Sequence, residues 1–172
     1  MKDYKDYIED ATALRRLQSS PLPRSDYCLA HANLVIPCHD IMIQYGEGIL
    51  LVKRENDPGR GQFFPIGGRI QKGVPTEESM RQKVKEECGL ELTHLEVLGF
   101  GRTIFKDDPF GHGKGTDTFD IMYFGIGKGT LKLDVLHSSP LIVTSKNFNT
   151  VEKTLHPYVR DFVEKALKLV KK

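Results

Sequence analysis

The chain has 172 residues, 39% of them hydrophobic and 28% charged, the make-up of one globular unit rather than of a fibrous or disordered chain. Its 25 Lys and Arg against 23 Asp and Glu leave a net charge of +2, too little to hold a nucleic acid backbone, so any phosphate recognition must be local. No apolar run approaches the roughly 20 residues needed to cross a bilayer, the first ten residues lack the apolar centre of a secretory signal, and the three cysteines contain no C-x-x-C pair, so reduced thiols in a cytoplasm are expected.

In chain order, Ile8, Ala11, Leu14 and Leu17 recur at helical spacing until Ser19-Ser20-Pro21 breaks the pattern, predicting a short leading helix. Between residues 33 and 53 two apolar, β-branched stretches flank Tyr45-Gly46-Glu47-Gly48, which reads as a hairpin. Residues 57–61 read as a loop and residues 63–66 as a short strand, after which Gly67-Gly68 reads as a turn free of Cβ clashes. A helix is predicted over 76–88, with Thr76 as N-cap, Glu77 and Glu78 against its positive end, and Gly89 as its stop. Residues 95–105 and 118–126 read as long strands separated by the Gly-rich 107–115 segment, a candidate lid in which His112 or Lys114 could cover phosphates. His137 falls on a loop before a strand over 141–144, and a final helix follows in which Tyr158, Phe162, Ala166 and Val170 recur every four residues. Strands before, between and after helices predict an α/β fold with a central mixed sheet.

The 67–90 segment reads Gly-Gly-Arg-Ile-Gln-Lys-Gly-Val-Pro-Thr-Glu-Glu-Ser-Met-Arg-Gln-Lys-Val-Lys-Glu-Glu-Cys-Gly-Leu. Positions i, i+3 and i+4 of one helix share a face, where carboxylates hold hard divalent cations through oxygen. Here those positions are Lys83, Glu86 and Glu87. Taken alone they read better as a solvated face with one ion pair, worth about 0.3 to 0.5 kcal/mol. The segment resembles the Nudix box: Gly68, Val84, Glu86, Glu87, Gly89 and Leu90 match it, while Val74, Gln82 and Lys83 stand where the box has Glu, Arg and Glu. The preceding Leu-Leu-Val-Lys-Arg and Phe-Phe-Pro-Ile-Gly-Gly stretches are similar to that family as well, and the resemblance extends over most of residues 33–170. It implies one Nudix domain over 1–172, an α/β/α sandwich led by a helical segment over 1–20.

Within the family, residues 64–72 and the missing Glu at Lys83 resemble the GDP-mannose mannosyl hydrolases. That likeness implies magnesium-dependent hydrolysis of a GDP-sugar at the anomeric carbon, giving GDP and free sugar, in a cytoplasmic homodimer. It implies one magnesium ion held by Glu87, the Gly67 carbonyl and Glu86. It also gives Arg54 and Arg69 as diphosphate ligands, Asp40 as substrate support, Tyr123 as a sugar or base contact, and His137 as general base. The chemistry is self-consistent: bidentate arginines stabilise a diphosphate leaving group, and a neutral imidazole accepts a proton from water near neutrality. Without the likeness His137 reads as a surface loop residue. Leu136 stands where the branch places a metal-binding Gln. Two other functions stay open, a pyrophosphohydrolase cutting a P–O bond and a non-catalytic Nudix-like nucleotide-binding domain. No nucleic acid or membrane partner is expected.

Overall fold

The computed structural model describes residues 4–8, 10–17 and 22–171. Two short helices, α1 (Ala11–Leu17) and α2 (Arg24–His31), lead into a sheet. Its strands are β1 (Ile36–Tyr45), β2 (Gly48–Arg54), β3 (Phe63–Phe64), β4 (Ile66–Arg69), β5 (Glu91–Phe105), β6 (Thr116–Lys128) and β7 (His137–Val143). Helix α3 (Thr76–Cys88) joins β4 to β5, and α4 (Phe148–Val151) and α5 (Pro157–Leu167) follow β7. The sheet runs β3-β2-β1-β6-β5, with β4 on β1 and β7 on β2. Strands β1 and β6 are parallel and the other pairs antiparallel, so the sheet is mixed as expected. No described helix is long and apolar enough to cross a membrane.

Alternation along the strands explains why the central ones read as unbroken apolar runs. Met42, Ile49, Leu51, Met122 and Phe124 point to the α5 side, where Val159, Phe162, Val163 and Ala166 meet them. Ile41, Ile43, Leu50, Val52, Ile121 and Tyr123 point to the other side, against Met80, Val84 and Cys88 of α3. Met80, Val84 and Cys88 recur every fourth residue and are fully buried, and each buried Met or Val contributes about 1.5 to 3 kcal/mol.

The ends of α3 differ in how far sequence fixes them. At the C-terminus Gly89 takes φ 72°, the left-handed conformation that stops a helix cheaply in glycine, as expected. At the N-terminus Pro75 holds the cap position and offers no side-chain cap, while Thr76, the expected N-cap, is the first helical residue. The cap comes from the N-terminal segment instead. Asp6 accepts the Thr76 N–H at 2.7 Å and the Thr76 hydroxyl at 2.8 Å, placing a carboxylate on the helix's positive end.

Three further expectations differ from the structure, and one element is additional. The leading helix begins at Ala11, with Ile8 outside it, and the expected end at residues 18–20 lies outside the described residues. Gly67 and Gly68 are strand, not turn, because β4 forms a ladder with β1 after Pro65 ends β3. His137 opens β7 rather than lying on a loop before it. Helix α2 was not foreseen.

Candidate active site

Pairing on both edges of β1 builds the site. On one edge Cys38 opposes Asp120 in the parallel ladder with β6. On the other, Cys38, His39 and Asp40 oppose Arg69, Gly68 and Gly67 of β4. Since residues two apart share a face, Asp40 and Asp120 fall on the same side of the sheet, the side that α5 covers. There the Tyr158 hydroxyl donates to Asp40 Oδ2 at 2.8 Å. Gly67 cannot carry a side chain: a Cβ would collide with Asp40 Oδ1 and come within 2.6 Å of the His39 carbonyl oxygen.

These strands floor a cavity of about 330 Å³, within the size range of small-molecule sites. Its strand-built, polar end carries Asp40, Asp120 and Arg54, with Phe64 beside the Arg54 guanidinium; Tyr27 and Phe110 form its aromatic end, and Arg69 joins the two with its guanidinium over the Tyr27 ring. The aromatic end is closed by α2 and the 106–115 loop. His31 Nδ1 lies 2.8 Å from His112 Nε2, Tyr27 meets Phe110 edge-on at 5.2 Å, and Asp108 accepts the backbone N–H groups of Phe110, His112 and Gly113. In this conformation the segment read as a candidate lid rests against α2 through these contacts.

Asp40, Asp120 and Arg54 are largely withdrawn from solvent, whereas Arg69 is exposed. Burial, then the neighbouring Asp120, pushes the Asp40 carboxyl up to about 7, against the Tyr158 hydrogen bond and Arg54. Burial also pushes Asp120 up to about 6, although Thr118 donates to it. Arg54 is lowered by burial and held charged by Asp40 and Glu87. Its Nε is buried with no hydrogen-bond partner, as is Glu87 Oε2. The other Glu87 oxygen, Oε1, takes the Lys83 ammonium at 3.0 Å. Burial, then the charge of Lys83, holds the His39 imidazole down to about 4, so His39 is neutral in the wall behind the site.

The structure brings Arg54, Arg69 and Asp40 together around the cavity, with Gly67 behind Asp40. His137 sits on β7 opposite Arg54 of β2, and its Nδ1 lies 2.8 Å from Asp134 Oδ1. It is not among the residues lining the cavity. Tyr123 and Glu86 are placed elsewhere. Tyr123 is fully buried in the core beneath α3, so it does not reach the cavity as a sugar or base contact. Glu86 is exposed on a shallow groove with Arg81, Gln82 and Lys85. The reason is rotation: at 3.6 residues per turn Glu86 points about 200° away from Val84, and Val84 faces the core. Sequence reading missed Asp120, Tyr158 as more than a core residue, Asp134 and Tyr27. Asp120 carried a signal, an acid inside the apolar Phe119–Phe124 run, since acids are almost never fully buried unless paired.

The divalent metal that the resemblance implies meets a mixed reception. Among the described residues no group of three or more His, Cys, Asp or Glu is placed to share an ion. Glu86 faces away, and Leu136 offers no ligand. What fits is one carboxylate oxygen, Glu87 Oε2, buried and without a partner. Magnesium commonly takes one or two carboxylates and completes its shell with phosphate and water. The donor set therefore suits at most a single ion that shares its ligands with a bound diphosphate.

A family model described as the NUDIX domain matches residues 39–160. The chain is 27% identical over 145 residues to the low-salt glycan biosynthesis protein Agl8 of Haloferax volcanii, covering 83% of this chain and 89% of that one. It is 37% identical over 73 residues to an ADP-ribose pyrophosphatase of Methanocaldococcus jannaschii, covering 42% and 43%. Among solved structures, the NUDIX domain of Shewanella oneidensis NrtR, crystallised with ADP ribose, aligns with a TM-score of 0.60 at 15% identity over 87% of this chain and 100% of that one. The matched segment begins inside β1, takes in the cavity floor and α3, and ends within α5, so the chain belongs to the Nudix hydrolase family.

Proposed function

We propose that the protein hydrolyses a nucleoside diphosphate compound of the GDP-sugar type at the anomeric carbon, releasing GDP and free sugar. The observation that carries this is one cavity lined both by Arg54 and Arg69, suited to a diphosphate, and by the rings of Tyr27 and Phe110, suited to a base. The name of the Haloferax relative, a glycan biosynthesis protein, fits a sugar-bearing substrate.

In this reading Arg54 and Arg69 grip the diphosphate and stabilise the charge that gathers on it as the C–O bond breaks. Arg69 stacks on Tyr27, its guanidinium carbon 4.2 Å from the ring centroid, which limits its orientations. Asp40, fixed by Tyr158, supports the substrate. His137, outside the cavity lining, is paired with Arg54 across β2 and β7 and held through Nδ1 by Asp134, so the water it would deprotonate is one bound beside the Arg54-gripped diphosphate. Glu87, with the Gly67 carbonyl, would hold a magnesium ion that adds neutralising charge to the leaving diphosphate.

One observation favours a second reading, cleavage of a P–O bond: the Methanocaldococcus relative is named a pyrophosphatase. Incubating GDP-mannose and ADP-ribose with the protein and magnesium in oxygen-labelled water separates the two. GDP with label in the sugar supports C–O cleavage; a nucleoside monophosphate with a sugar phosphate supports the alternative. His137→Gln is expected to lower kcat about 100-fold with little change in KM, and unchanged kcat removes His137 from the reaction.

A further inference from the structure

Asp120 is an acid in a place where proteins seldom keep one. It is 3% exposed, and among the described residues no Lys, Arg or His forms an ion pair with it. Acids at that depth are almost always paired, and a buried charge without a cation costs stability. Hydroxyl groups hold this one. Thr118 donates to Asp120 Oδ2 at 2.7 Å, and the Thr103 and Thr118 hydroxyl oxygens lie 2.6 Å apart. A hydroxyl has one proton to give, so with Thr118 donating to Asp120, Thr103 donates to Thr118. Thr103, Thr118 and Asp120 all line the cavity. The neighbouring space on β5 is filled, because a Cβ on Gly101, the partner of Asp120 there, would come within 2.6 Å of the Tyr158 ring.

Register sets what can reach this row. Cys38 has Arg69 as its partner on one edge of β1 and Asp120 on the other. Two strand spacings therefore separate the Arg69 and Asp120 backbones, about 10 Å. A diphosphate gripped by Arg54 and Arg69 is kept from the row by the like charges of Asp40 and Asp120, so a group bonded to the diphosphate is what arrives there. That group must be uncharged and rich in O–H donors, since an ionised carboxylate only accepts hydrogen bonds and Thr103 and Thr118 have already committed their protons. The geometry points to Asp120, with Thr118 and Thr103, as the specificity-determining subsite that reads the hydroxyl groups of the sugar half of the substrate. Asp120 accepts from one sugar hydroxyl, and the lone pairs of Thr103 accept from a second. A sugar lacking those hydroxyls, or carrying a phosphate in their place, is selected against. The acid is thus retained for recognition and at a cost in stability, as functional groups often are.

This inference rests on the cavity being a GDP-sugar site, and the experiment separates the two. Consumption of GDP-mannose with magnesium at pH 8 is followed, whichever bond breaks, for wild type, Asp120→Asn and Thr118→Val, and GDP binding by the same proteins is measured calorimetrically. At that pH Asp120 is ionised, because burial raises it only to about 6. Asp120→Asn is expected to lose about tenfold or more in kcat/KM, and Thr118→Val about threefold, while both bind GDP within about twofold of wild type. Asp120→Asn should also melt at or above the wild-type temperature, since an uncompensated buried charge has gone. GDP keeps the base and ribose but lacks the sugar, so an equal loss for GDP and GDP-mannose overturns the sugar subsite, as does an unchanged kcat/KM in both variants. Should Asp120→Asn fail to fold, Thr118→Val, which keeps the carboxylate, decides by the same comparison. If wild type binds GDP and leaves GDP-mannose intact, the proposed hydrolysis falls and the subsite is read by calorimetry. Tighter binding of GDP-mannose than of GDP in wild type, lost in the variants, then supports it, and equal binding overturns it. Failure of wild type to bind either compound overturns the cavity reading and the inference with it.

Discussion

The two ends of the cavity are made in different ways. At the polar end Asp40, Asp120 and Gly68 ride on β1, β6 and β4, whose backbones are joined by continuous ladders and packed on both faces. At the aromatic end Tyr27 and Phe110 ride on α2 and the 106–115 loop, joined by the His31–His112 contact and ring edges. In α2 only His31 is buried. Segments with few buried apolar contacts open at much lower free energy than core strands. The fixed end therefore suits the reacting groups and the adjustable end suits admission and recognition.

The strand-built end is most sensitive at Gly67. Gly67→Ala pushes a methyl group into Asp40 and the β1 backbone, and overpacking of this kind costs about 1 to 3 kcal/mol. Turnover should disappear and Tm fall by several degrees; a variant with wild-type turnover would show that the β1–β4 register does not set the site.

Next in size is the pH response of the polar end. Burial holds Asp40 at about 7 and Asp120 at about 6, above the unfolded value of about 3.9. Their contribution to stability is therefore full below about pH 4, declines as pH rises, and is lost above about pH 7. Asp40→Asn removes the Asp40 share, so melts recorded from pH 4 to 8 should show a smaller decline in Tm than wild type. Parallel curves would contradict the burial of that carboxyl.

A smaller effect is expected at the aromatic end. His112→Ala releases the loop from α2 without touching the strands. Hydrogen exchange should quicken in residues 24–31 and 106–115 alone, with KM raised about threefold and kcat retained. Acid should loosen the same contact, because protonating His31 works against its burial and then against His112. Smallest of all, Asp6→Ala removes the cap on α3 and should cost about 1 kcal/mol in denaturant melts with turnover unchanged.

Part of the frame was legible in the sequence. The helix over 76–88, its stop at Gly89 and the hairpin at Gly46 are local patterns with local causes. The direction of Glu86 was not legible, since spacing puts it beside Lys83 and Glu87 while only core packing decides which edge of that face turns outward. Gly67-Gly68 read as a turn because two glycines permit one; a strand formed because β1 was available to pair with them. Helix α2 escaped notice for want of apolar periodicity, being short, polar and set among prolines. Tyr158 fitted the apolar stripe of α5 so well that its hydroxyl, which meets Asp40 across 118 residues of sequence, carried no separate signal.

The proposed role of Arg54 is to grip a diphosphate at the polar end of this cavity, and nucleotide release from GDP-mannose and ADP-ribose, with magnesium present, by wild type and Arg54→Ala decides it. Wild type should release nucleotide from at least one of the two, and the variant should lose about 100-fold or more in kcat/KM. Equal rates in the two proteins, or no release by wild type from either compound, would rule that role out.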